Sequence, residues 1–188
     1  HFQFALSNVS RQFLWSFLHS HPFYNSEQVS QRYVTVKPGN YAVPPLEGRA
    51  LAIYHETVAR QHAAYEDLCR LLVAPASAAY YDRFPARRHY RAKYDKEIRK
   101  KAQEVARYVL PVATFAYLYH TVSGLTLLRY QRICRELDSP LEQRAVVGRM
   151  VEALLQFEPA YRAILEEPIA EEELAEHDKA LSTNSEIL

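Results

Sequence analysis

The chain has 188 residues, is 48% hydrophobic and 24% charged, and carries a formal net charge of +1. That excludes a disordered chain and is long enough to bury a sizeable core. So small a net charge gives no whole-molecule argument for nucleic acid or membrane partners, and any polyanion site would have to be local. Nucleic acid and membrane are therefore not expected as partners.

Residues 1–6 alternate, with Phe2, Phe4 and Leu6 on one side, and predict a short strand. Ser7 or Asn8 is then expected to cap a helix over residues 9–18. Phe13, Leu14, Trp15, Phe17 and Leu18 make that helix apolar almost all round, so it is expected to be central. A polar loop should cover residues 19–31. Residues 37–45 hold three of the ten prolines and a glycine, which predicts an irregular connection. Leu51, Tyr54, Val58, Tyr65, Leu68 and Leu72 form one helical stripe over residues 46–73. Residues 74–85 read as the next loop. Ile98, Ala102, Val105 and Val109 give another helical stripe that Pro111 closes. Residues 114–122, rich in aromatic and β-branched side chains, predict a second strand, and a helix over residues 123–135 follows. Ser139-Pro140-Leu141-Glu142 has capping-box spacing ahead of a last helix with Val146, Val147, Met150, Val151, Leu154 and Leu155 on its apolar face. The expected organisation is one helix-rich α+β domain over residues 1–165, with a small mixed sheet and long helices, followed by an acidic tail over residues 166–188. The chain starts at His1 in what already reads as a strand, so its natural start is expected to precede it.

Cys69 and Cys134 lie far apart without metal-ligand spacing. No apolar run reaches the roughly 20 residues that span a bilayer, and no signal peptide is visible, so a cytoplasmic location is expected. Residues 25–34 place Asn25, Ser26, Glu27, Gln28, Ser30, Gln31 and Arg32 in one stretch. Its Ser-x-Arg ending can grip an anion, because hydroxyl and amide donors combine with a guanidinium that pairs bidentately. On spacing alone it reads equally as a solvated loop whose arginine caps a carboxylate. His19 and His21 are two possible metal ligands without a third nearby, so no metal site is expected. Residues 83–101 are strongly basic, with Tyr90 and Tyr94 interleaved. Basic residues with stacking aromatics can bind single-stranded nucleic acid. Asp95 and Glu97 interrupt the run and helix periodicity spreads it over several faces, so it reads as a solvated helix face.

Phe4-Ala5-Leu6-Ser7-Asn8-Val9-Ser10-Arg11, Gln28-Val29-Ser30-Gln31-Arg32-Tyr33 and Glu104-Val105-Ala106-Arg107-Tyr108-Val109-Leu110-Pro111 follow one another in the order found in flavin-dependent thymidylate synthases. The chain resembles that family over nearly its whole length, without the family's opening strand-and-helix segment. The resemblance implies a thymidylate-synthase-complementing-protein-like fold. It also implies reductive methylation of dUMP to dTMP, with FAD, methylenetetrahydrofolate and NADPH. By resemblance Ser30, Gln31 and Arg32 hold the deoxyuridylate phosphate, with Gln28 nearby and Arg107 completing the pocket. A homo-oligomer is implied, tetramer or dimer, or a partner thymidylate-synthase-like domain.

Other family positions are altered. The flavin-gripping Arg-His-Arg falls on His19-Ser20-His21, and Asn-x-Arg falls on Ser123-Gly124-Leu125. The catalytic arginine falls on Cys134, and Ala-Gln-Trp-Glu becomes Ser139-Pro140-Leu141-Glu142. Arg132 and Arg135 flank Cys134 but point about 100° away on the helix. Cys134 itself reads as a core residue, since free cysteine behaves as a small hydrophobe. Removing one preorganised charge typically lowers rate by roughly 10²–10³. The expectation is a degenerate, weakly active or inactive relative that keeps a nucleotide-phosphate site. The alternatives are an active FAD-dependent synthase or related nucleotide C5-methylating enzyme, and a non-catalytic structural or regulatory oligomerisation partner.

Overall fold

A computed structural model describes residues 1–20, 24–30 and 35–165. Its order is β1 (Phe2–Ser10), α1 (Arg11–His19), β2 (Tyr24–Gln28), α2 (Gly48–Leu71), α3 (Val73–Arg83), α4 (Arg91–Ala106), β3 (Phe115–Val122), α5 (Gly124–Glu136) and α6 (Leu141–Phe157), with short 3-10 helices at Pro85–Tyr90, Arg107–Val109 and Pro159–Ile164. The class is helix-rich α+β, as the sequence predicts. The chain splits into two compact units, His1–Gln28 with Ala116–Leu188, and Val29–Phe115.

In the first unit the strands form one sheet in the order β1-β3-β2. β2 runs antiparallel to β3, with Tyr24 opposite Val122 and Gln28 opposite Leu118. The expected polar loop over residues 19–31 is thus partly a strand. Its composition is too polar to read as one, and only the ladder to β3, distant in sequence, satisfies its backbone groups. β1 also runs longer than expected. Its in–out alternation breaks at Asn8, whose φ of 57° is left-handed. Asparagine tolerates that conformation, and here its Oδ1 accepts from the Tyr117 hydroxyl at 2.9 Å. The cap of α1 is therefore Ser10 rather than Ser7 or Asn8, its Oγ accepting from the Phe13 amide at 2.9 Å.

Phe13, Leu14 and Phe17 of α1 are buried against Leu118 and Val122 of β3, Leu127, Leu128 and Tyr130 of α5, and Val147, Met150 and Val151 of α6. Phe17 stacks on Phe13 at 4.8 Å between ring centroids. Trp15 departs from the all-round burial expected, being 67% exposed and lying on His19. One face of a nine-residue helix suffices for this core.

In the second unit α2 follows the predicted stripe, with Val58 and Tyr65 fully buried. The loop expected at residues 74–85 is the helix α3. Pro75 lies in its first turn. Its missing N–H and its ring forbid the bond to the Leu71 carbonyl, so the helix breaks at Leu72 and restarts in a first turn that accepts proline. α4 buries Ile98, Ala102 and Ala106, whereas Val105 is half exposed, outside the stripe assigned to it.

Candidate functional site

The residues at the altered positions gather in the first unit. Cys134 points into the core and is 2% exposed. The Nε2 of Gln143, on the first turn of α6, lies 3.7 Å from its Sγ and 3.4 Å from the Ser20 Oγ. Tyr130 sits one helical turn before Cys134, with its buried hydroxyl close to Ser20, Cys134 and Gln143. Burial pushes the Cys134 thiol and the Tyr130 phenol above their ordinary values, so both stay neutral near pH 7. Gln143 thereby links the buried Cys134 to the exposed Ser20 through uncharged groups. A neutral thiol held by a carboxamide is neither a nucleophile nor a cation.

Glu142, the residue retained from Ala-Gln-Trp-Glu, does not close a capping box as expected. No side chain caps α6, whose first flanking residue is Pro140. Instead the Glu142 carboxylate accepts from the Ser10 amide at 2.7 Å and from the Ser10 hydroxyl. It fixes α6 to the start of α1 over 132 positions of sequence.

The remaining flavin positions are engaged locally. His19 places Nδ1 2.6 Å from the Trp15 carbonyl, and the Ser20 hydroxyl donates to Ser16. Ser123 caps α5, its Oγ accepting from the Thr126 amide at 3.0 Å and donating to Thr126 Oγ1 at 2.8 Å. Leu125 is 53% exposed and brings no donor. Gly124 packs under the Tyr161 ring, which a Cβ would enter. His21 lies outside the described residues. A flavin pyrophosphate wants arginines or a free helix N-terminus. His19, Ser20, Ser123 and Leu125 supply no guanidinium, and the Ser123 hydroxyl occupies the N-terminus of α5. A cleft of about 550 Å³ between α5 and α6 is lined by Arg132, Arg135 and Arg144, with Glu136 and Glu152 among them.

The expected phosphate residues divide. Gln28 ends β2, and its Oε1 accepts from Arg11 at 3.3 Å. Ser30 is half-buried just beyond the strand. Gln31 and Arg32 lie outside the described residues. Arg107, in the second unit, is half-buried and donates from Nε to the Glu104 carbonyl at 3.1 Å, while the Glu104 carboxylate accepts from Lys101 at 2.8 Å. Among the described residues no group of three metal-ligating side chains occurs.

Sequence reasoning missed His120, Tyr130 and Gln143. His120 is fully buried in β3, with Nδ1 2.6 Å from the Ser26 Oγ and its ring against Phe17 and Tyr24. Its one advance signal is the inward register of β3, legible from the alternation about Leu118 and Val122.

The fold is shared with two solved enzymes. A UMP/dUMP methylase, PolB, from Streptomyces cacaoi, bound with 5-Br UMP, is 18% identical over 87% of this chain and 73% of its own, with a TM-score of 0.55. The flavin-dependent thymidylate synthase ThyX of Helicobacter pylori, complexed with FAD and dUMP, is 13% identical over 89% and 72%, with a TM-score of 0.51. The architecture is therefore the one these two enzymes share. The family model described as thymidylate synthase complementing protein matches residues 1–160, and the chain belongs to that family. Among curated proteins no sequence matches it.

Proposed function

We propose that this chain is a degenerate member of the family, without flavin-dependent methylation, that retains recognition of a nucleotide phosphate. The observation that carries the loss is the burial of Cys134 against Gln143 and Tyr130, at the position where, by resemblance, the family supplies a cation. A uracil ring made nucleophilic at C5 needs positive charge at its developing oxyanion, and a buried thiol supplies none. Retention is supported by Gln28, Ser30, Gln31, Arg32 and Arg107, which keep the phosphate-binding residue types where the flavin positions have changed. The chain then acts as a nucleotide-binding partner within a homo-oligomer, or beside a second thymidylate-synthase-like domain.

Calorimetry with dUMP tests this. Binding should weaken as salt rises. Arg32→Ala and Arg107→Ala should each weaken it about tenfold or more, since truncating one partner of a charge-assisted pair removes roughly 1.5–3 kcal/mol. Negligible heat for all three proteins would end the retained-site reading. Methylation of dUMP by purified protein supplied with FAD, NADPH and methylenetetrahydrofolate would end the degenerate one, and would favour an active nucleotide C5-methylating enzyme.

A further inference from the structure

The charge of this protein is strongly segregated. Residues 83–101 contain nine lysines and arginines against two carboxylates, whereas the rest of the chain has fourteen basic and twenty acidic residues. Helix periodicity spreads this charge over several faces of α4, and three of its lysines share one of them. α4 turns Ile98, Ala102 and Ala106 inward, and Lys93, Lys96 and Lys100, spaced i, i+3 and i+7, share the opposite, exposed face. At 1.5 Å of rise per residue the three span about 10 Å of helix. Arg88, His89 and Arg91 are exposed at the head of the helix. Between them Tyr90 is 67% exposed.

This surface is anchored to its unit. The Arg87 guanidinium lies 4.3 Å from the centroid of Phe84 and 5.1 Å from that of Tyr94, and its Nη1 donates to the Tyr80 hydroxyl at 2.7 Å. Arg91 lies 5.2 Å over the ring of Tyr81. These contacts tie the 3-10 helix to α3 and α4, so the cations around Tyr90 are presented on a built platform.

We propose that the surface formed by Arg88, Tyr90, Arg91, Lys93, Lys96 and Lys100 binds single-stranded nucleic acid. The cations track phosphates, and the exposed Tyr90 ring stacks on a base that a duplex would keep paired. An anionic membrane fits less well, because the face of α4 that carries Lys93, Lys96 and Lys100 has no large aliphatic side chain to insert, the half-exposed Val105 lying off it. The site is independent of the nucleotide site proposed above.

Fluorescence polarisation with labelled oligo-dT, oligo-U and a duplex of the same length tests it on the full chain. Both single strands should bind more tightly than the duplex, and a difference between them assigns DNA or RNA as the preferred strand. Affinity should fall with salt at a slope of about −0.7 per phosphate contacted. Lys93→Glu, Lys96→Glu and Lys100→Glu together should weaken binding at least tenfold and flatten that slope by about 2. Tyr90→Ala should weaken single-strand binding about tenfold and leave duplex binding unchanged. A control with Arg49→Glu, Arg60→Glu and Arg70→Glu on α2 makes the same change in net charge. Equal losses in the control and the α4 variant would overturn the proposal, as would tighter duplex binding, stronger sedimentation with phosphatidylserine vesicles, or no salt-dependent signal. Circular dichroism shows that each variant is folded before it is scored.

Discussion

Glu142 shows how much one side chain can do once the chain has folded. Its carboxylate satisfies the Ser10 amide and hydroxyl, while the Ser10 Oγ accepts from Phe13, so one acid secures the start of α1. Glu142→Ala leaves that half-buried amide without its acceptor and should lower stability by about 2–3 kcal/mol in urea unfolding. Glu142→Gln keeps an acceptor and should lose clearly less. Cys134 makes the complementary case. Burial holds its thiol above the usual value, so it should react with Ellman's reagent at pH 8 only on unfolding, while the half-buried Cys69 reacts sooner. Tyr65 is likewise pushed up by burial, to about 12. Groups with raised folded values stabilise the protein fully below their ordinary pKa, and that stability is lost as pH rises through the folded one. Stability should therefore fall from about pH 9 upward, and absorbance at 295 nm should show Tyr65 ionising near pH 12 or together with unfolding. Ionisation of every tyrosine near pH 10 in folded protein would contradict this.

At the scale of elements, helix boundaries rest on side chains far from them in sequence. α5 starts at Gly124, whose Cα lies against the Tyr161 ring, and that ring packs edge-on against Phe2 at 5.7 Å. Gly124→Ala forces the ring aside and should lower stability by about 1–3 kcal/mol, as overpacking does. In a Tyr161→Ala background the same change should be nearly neutral, so the double-mutant cycle carries the coupling. Additive effects would show that the ring gives way freely. Pro75 acts locally instead, separating α2 from α3 within the second unit.

For the molecule as a whole, the proposed function separates fold from chemistry. The family's element order survives, as the match over residues 1–160 shows. His19, Ser20, Ser123 and Leu125 meanwhile serve the protein's own backbone and surface. Titration with FAD should accordingly show no affinity below about 10 µM, because no described side chain at these positions supplies the charge-assisted bonds that a pyrophosphate needs. Submicromolar binding would instead indicate a rewired flavin site.

The sequence by itself determined the class of fold, the stripes of α2 and α6, the β3 strand and the family, because periodicity and motif order are local and survive divergence. It did not reveal β2, whose polar residues form a strand only by pairing with β3 about 95 positions away. Nor did it reveal that Glu142 holds the cap of another helix, or that Gln143 and Tyr130 lie against Cys134. Those outcomes depend on which elements pack together, since burial and long-range hydrogen bonding decide what a polar side chain does and adjacent residues carry no record of them.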